Sequence, residues 1–189
     1  MFELYKAKVT AHAIFTDGFE SYLQGGVMRS LRAAAIVVMV FASTSLLAQS
    51  NAQKILDRFK TMVGTWEGKS PDGKTSEVKY QLVAGGTAVM SDNHMIGDDM
   101  TSMFYVDGER LMMTHFCPSG NQPRMQAMIS PDLKTVSFEF VDATNLAGPQ
   151  AGHMHRAVYI FSDAGHYSEE WTWRQEGKDA HFHYEMTRK

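Results

Sequence analysis

His166-Tyr-Ser-Glu-Glu-Trp-Thr-Trp-Arg-Gln-Glu-Gly-Lys-Asp-Ala-His-Phe-His-Tyr-Glu-Met-Thr187 is the stretch that decides the fold class. In its second half Phe182, Tyr184 and Met186 alternate with His181, His183 and Glu185, a period of two that places the two sets on opposite faces of a β-strand. Glu176-Gly177 separates this run, 179–187, from an equally strand-like run at 166–175. Two such runs joined by a short glycine-containing turn make an antiparallel hairpin.

The same punctuation recurs upstream. Gly64-Thr-Trp-Glu-Gly68 opens a strand, Pro71-Asp-Gly73 is a turn, and Val78, Tyr80 and Leu82 alternate with Glu77, Lys79 and Gln81 before Gly85-Gly86. Further strands are expected at 87–95, 100–106, 110–117, 124–130, 134–142 and 154–162. Gly97-Asp-Asp99, Asp107-Gly108, Pro118-Ser-Gly-Asn121, Pro131-Asp132, 147–152 and Asp163-Ala-Gly165 divide them. Parallel strands need crossover segments of a dozen residues or more, and no helical run of that length interrupts the series. About ten evenly spaced strands predict an all-β, antiparallel up-and-down meander, closed into a barrel because closure removes exposed edges. One short helix precedes it: Ile55, Leu56, Phe59 and Met62 recur at helical spacing over 53–62, with Asn51 as its expected cap.

The amino-terminal part has a different texture. Met28-Arg-Ser-Leu-Arg32 is followed by an apolar run of about 15 residues and then by small residues at Ala48 and Ala52, the three parts of a secretory signal peptide. The expected organisation is therefore an upstream extension at 1–27, a signal peptide at 28–52 and a single domain at 53–189, with cleavage after Ala48 or Ala52. The expected location is periplasmic or secreted, with no stable membrane span after cleavage. Residues 53–189 carry 14 Lys plus Arg against 18 Asp plus Glu, a net charge of −4 that argues against a nucleic-acid partner. Cys117 is the single cysteine, which rules out an intramolecular disulfide.

A helix leading into Gly64-x-Trp66, a ten-strand meander and Arg188 on the last strand together resemble the lipocalin and fatty-acid-binding (calycin) superfamily. That resemblance implies a first-strand Trp packed at the closed end of the barrel with the final-strand Arg lying over it. Val63-Gly-Thr-Trp-Glu-Gly68, Met113-Thr-His-Phe-Cys117, Gly120-Asn-Gln-Pro-Arg-Met125, Phe138-Glu-Phe-Val-Asp-Ala-Thr-Asn145, Met154-His-Arg156 and Glu170-Trp-Thr-Trp-Arg174 are similar to an uncharacterised family of small lipocalin-like bacterial exported proteins. The first-strand signature also resembles that of nitrobindin-like haem barrels, which continue to a further glycine where this chain has Lys69-Ser70.

Histidines supply the candidate site chemistry. Seven lie beyond residue 52, including the His153/His155 and His181/His183 pairs, with His115 two residues from Cys117. If Leu111 and Met113 face inward, so do His115 and Cys117, close to Asn121 and Arg124, and a guanidinium there offers a two-pronged grip on an anionic head group. The competing reading makes Asn121-Gln-Pro123 a turn and pairs Arg124 with an acid. The expected ligand-binding set is His115, Cys117, Asn121, Arg124, Glu139, His155, Trp171 and His183. Imidazole and thiolate also ligate zinc, and an inward histidine can ligate haem iron, so a metal or haem barrel using His115, His155 or His183 is the alternative. No cofactor is needed otherwise.

Acid–base chemistry has candidates in Glu139, Asp142, Glu169 and Glu170, but no Gly-x-Ser-x-Gly, phosphate loop or dinucleotide fingerprint accompanies them. Eleven methionines beyond residue 52, together with Phe161, Tyr167, Trp171 and Trp173, either fill the barrel or line a cavity for a flexible apolar ligand. The sequence thus favours an exported binder of a small apolar or amphipathic molecule over an enzyme. A partner-binding module with a filled core is the remaining reading.

Overall fold

The computed structural model describes residues 49–95 and 98–189. The expected extension at 1–27 and residues 28–48 of the expected signal peptide lie outside the described residues. The domain is a short helix, α1 (Asn51–Thr61), followed by ten strands: β1 (Gly64–Lys69), β2 (Thr75–Val83), β3 (Ala88–Met95), β4 (Asp98–Asp107), β5 (Arg110–Phe116), β6 (Gln122–Ile129), β7 (Thr135–Thr144), β8 (His153–Phe161), β9 (His166–Gln175) and β10 (Lys178–Arg188). Every strand pairs antiparallel with its sequence neighbours, and β1 also pairs with β10, so the sheet closes into an up-and-down barrel. Strand limits expected from the turns agree with the structure to within one or two residues.

The helix begins earlier than its apolar periodicity implies. Ser50, not Asn51, is the cap: its Oγ accepts the Gln53 backbone N–H at 3.2 Å. A hydroxyl one residue upstream thus satisfies a first-turn amide, and Asn51 and Ala52 join the helix.

Period-two alternation assigns the strand faces. Val78 and Tyr80, Phe104, Met113, Phe138, Tyr159, Tyr167, Tyr184 and Met186 are all buried, whereas His181 and Glu185 on β10 are exposed. The apolar set of the last strand therefore faces the core. Two β-bulges disturb the register. One is on β7, where Phe140 pairs with Met125 and Asp142 with Arg124 of β6, leaving Val141 as the extra residue; the other is on β8, where Met154 pairs with Trp173 and Arg156 with Thr172, leaving His155 as the extra residue.

One end of the barrel is plugged by α1. Ala52, Ile55, Leu56 and Phe59 are buried, and the Phe59 ring stacks on Phe104 at 4.2 Å and meets Tyr159 and Phe161 edge-on at 5.3 and 5.5 Å. Beside the plug, Trp66 donates its indole N–H to the Met62 carbonyl at 2.7 Å. The Arg188 guanidinium lies 4.4 Å over the Trp66 ring and donates to the carbonyls of Thr61 (2.7 Å) and Val63 (3.0 Å). The first strand, the last strand and the helix end are thereby latched together, in the arrangement expected of Trp66 and Arg188.

Removing the plug side chain opens a cavity that the rigid sheet cannot collapse to fill. Phe59→Ala is therefore expected to lower the unfolding free energy by about 3–5 kcal/mol, read from urea denaturation.

Candidate functional site

At the end opposite α1 the barrel opens into a cavity of about 380 Å³. Its wall is made by Met100 of β4, Cys117-Pro-Ser119 in the turn after β5, Met154 of β8, Trp171 and Trp173 of β9, and Phe182 and Tyr184 of β10, with Asp98 at the rim. The wall is aromatic because positions 171, 173, 182 and 184 are the inward phases of the two strands whose alternation identified the fold. Gly152 is required beside it: a Cβ there would lie 2.2 Å from Cζ2 of the rigid Trp173 ring.

Beneath the wall the interior turns polar. His115 is buried, with Ser102 Oγ 2.9 Å from its Nδ1, its ring packed on Trp171 at a centroid distance of 4.9 Å, and no partner for Nε2. Burial alone pulls its pKa down to about 4, so the imidazole is neutral at pH 7. Glu169 follows Tyr167 and precedes Trp171 on the inward face of β9, and is also buried. Neither of its carboxyl oxygens nor the Trp171 indole N–H makes a hydrogen bond. Burial pushes the Glu169 carboxyl up to about 8, a rise tempered by the nearby Trp171 N–H, which approaches without reaching hydrogen-bond geometry. The phenols of Tyr80, Tyr159, Tyr167 and Tyr184 surround this acid and are all raised, burial being the main cause and the Glu169 charge adding to it. Tyr80 and Tyr167 share a hydrogen bond at 3.0 Å.

Only part of the expected binding set converges. His115, Cys117 and Trp171 meet at the open end of the interior. Asn121 is buried at the rim, where its Nδ2 donates to the Gly152 carbonyl at 2.8 Å and ties the β5–β6 turn to the lead into β8.

The others lie elsewhere. Arg124 is on the outer face, paired two-pronged with Asp142 (Nε to Oδ1 2.6 Å), which holds the Asp142 carboxyl below its usual range. The guanidinium expected at the mouth is thus spent on the surface, because Arg124 holds the outward phase of β6 between the buried Pro123 and Met125. Glu139 bonds Arg156 on the outer face at 2.8 Å. His183 faces outward between Glu185 (2.8 Å) and Glu170 (3.5 Å).

His155, on the β8 bulge, accepts from Arg174 at Nε2 (2.6 Å) and meets His153 Nε2 through Nδ1 (3.2 Å), while His153 Nδ1 donates to the Ala151 carbonyl (2.8 Å). This order of donors fixes both tautomers and occupies both ring nitrogens of each histidine. Burial, then the charge of Arg174, lower the His155 pKa. Among the described residues no group of three or more His, Cys, Asp or Glu side chains is placed to hold a metal ion. Of the three histidines considered for haem or metal, His115 alone faces the interior.

No protein-family model and no curated protein matches the sequence. The fold does have a solved relative. It is a protein of unknown function from the DUF3598 family of Nostoc punctiforme PCC 73102, with a TM-score of 0.51 and 13% identity over 69% of this chain and 48% of that one. This chain thus spans about half the length of its structural relative, and at that identity the likeness is one of fold alone.

Glu169 titrates near 8 when folded and near the model-peptide value of about 4.5 when unfolded, so between these limits the folded state binds more protons. Its contribution to stability is full below pH 4.5 and is lost as pH rises to 8, by roughly 5 kcal/mol in total. His115 works in the opposite sense, costing stability as pH falls from 6.5 towards 4. Urea unfolding of the parent protein is expected to show stability declining between pH 5 and 8.5, and Glu169→Gln is expected to remove that decline and leave the loss below pH 6.5 in place.

Proposed function

We propose that this protein is an exported carrier of the lipocalin-like (calycin) kind, holding a small apolar or amphipathic molecule at the open end of its barrel. The observation that carries this reading is the cavity itself. Its volume of about 380 Å³ lies within the range of small-molecule sites, and its wall is apolar and aromatic with few polar groups at its base. Methionine thioethers at positions 100 and 154 adapt to irregular ligand shapes, and Trp171, Trp173, Phe182 and Tyr184 offer large rigid contact areas. The latch of Arg188 over Trp66 at the plugged end supports the calycin affiliation. An aromatic mouth opposite the helical plug suits carriage better than catalysis, since no nucleophile–base pair is formed by Cys117 and the buried, Ser102-bonded His115.

Two experiments test the reading. Titration with an uncharged apolar fluorophore of about ten to fifteen heavy atoms should quench Trp171 and Trp173 emission with saturation in the micromolar range, and Trp173→Ala should weaken binding about tenfold or more. Absence of saturable binding would remove the carrier reading. Export is tested separately by mass spectrometry of the extracytoplasmic form. Cleavage after Ala48 preserves the Ser50 cap and the buried Ala52, whereas cleavage after Ala52 destroys both. The mature chain is therefore expected to begin at Gln49.

A further inference from the structure

Charge around the cavity is of one sign. Asp98 stands at the rim, Glu169 lies one interior layer below Trp171 and directly across the strands from Tyr184, and no Lys or Arg lines the cavity or is buried among the described residues. Beside Met100, Met154 and the Cys117–Ser119 turn, the wall offers a ligand four aromatic side chains, Trp171, Trp173, Phe182 and Tyr184. The face of an aromatic ring is the negative end of its quadrupole and attracts cations. An anionic head group finds no counter-charge here, since Arg124 is paired with Asp142 outside the barrel.

Three buried groups at the base are also unpartnered: the Glu169 carboxyl, the Trp171 N–H and His115 Nε2. An unpaired buried polar group is costly, and a buried carboxyl beside aromatic rings is a natural counter-charge for a desolvated cation. We infer that the ligand is an organic cation, a substituted amine or quaternary ammonium on an apolar body, seated against the four aromatic side chains with its charge directed towards Glu169. This deepens the carrier reading and rests on it.

A proton is linked to such binding. Glu169 is neutral at pH 7, and a cation in the cavity favours its carboxylate, so uptake of the ligand releases one proton below pH 8. The other groups facing Glu169 do not titrate across pH 6–9: the phenols of Tyr80 on β2, Tyr159 on β8, Tyr167 on β9 and Tyr184 on β10 are raised, and His115 on β5 is neutral above about 4. Affinity for a permanently charged cation should therefore climb with pH by up to about tenfold per unit and level off above 8.

The test uses three probes of matched shape on the full chain: phenyltrimethylammonium, neutral tert-butylbenzene and anionic benzenesulfonate, followed by tryptophan emission from pH 6 to 9. The expected result is that the cation binds at least tenfold more tightly than the neutral probe at pH 8.5, loses most of that advantage at pH 6, and exceeds the sulfonate throughout. Glu169→Gln should flatten the cation's pH profile and remove most of its advantage, while Glu169→Asp should keep a pH-dependent advantage. Should the glutamine variant fail to fold, the pH profile of the parent protein decides. If the neutral probe binds as well as the cation at pH 8.5, if the sulfonate binds best, or if the cation's affinity is independent of pH, the cation inference falls and the apolar carrier reading stands. If none of the three binds, both fall.

Discussion

Closure of the sheet between β1 and β10 is the constraint on which the rest of the molecule depends. Once Trp66 pairs with Arg188 across that seam, each strand has a neighbour on both sides, no edge is left, and every second side chain is committed to a shared interior. Arg188 reinforces the seam with its guanidinium over the Trp66 ring and its hydrogen bonds to Thr61 and Val63, which join the end of the helix to the end of the chain. Because α1 fills one end with Phe59, the aromatic-walled cavity lies at the other. The cavity is a consequence of where the plug sits.

The interior is not uniformly apolar, and the exception lies where the site is. Residues near the plug pack aromatic ring on aromatic ring, whereas the layer beneath the mouth holds a neutral histidine and a neutral carboxylic acid with unmet hydrogen-bonding capacity. In a low-dielectric interior each such group costs stability that a leucine or phenylalanine of similar size would not. A barrel that needed only to fold has no use for Glu169 between Tyr167 and Trp171. The same burial that makes this acid expensive also makes it responsive, since a charge arriving at the aromatic wall shifts its protonation.

The outer surface accounts for most of the charged and imidazole residues that looked chemically promising. Arg124 with Asp142, Arg156 with Glu139, and His183 with Glu170 and Glu185 are neighbours across or along strands. Such exposed pairs contribute little each. They blunt the outer face and leave the cavity's charge balance to the few acidic groups near it.

Fold class, strand number and strand limits were determined by the sequence alone, because alternation and turn residues are local signals that tertiary contacts did not override. The Trp66–Arg188 latch was legible too, through the family resemblance. Part of the site was within reach: Tyr167, Trp171 and Trp173 share the odd-numbered phase of β9, and Glu169 falls on it. That phase was the available signal for an inward acid, outweighed by the ordinary preference of glutamate for solvent. What only the tertiary structure decided was which phase of each strand faces inward and where phase breaks. A bulge adds one residue without any mark in the local pattern, and the two bulges here set Val141 of β7 and His155 of β8 out of register, while Arg124 reaches the surface by the ordinary alternation of β6. Convergence of His115, Trp171 and Glu169 from β5 and β9 depends on closing the sheet, since side chains that are remote along the chain become neighbours only across a closed barrel.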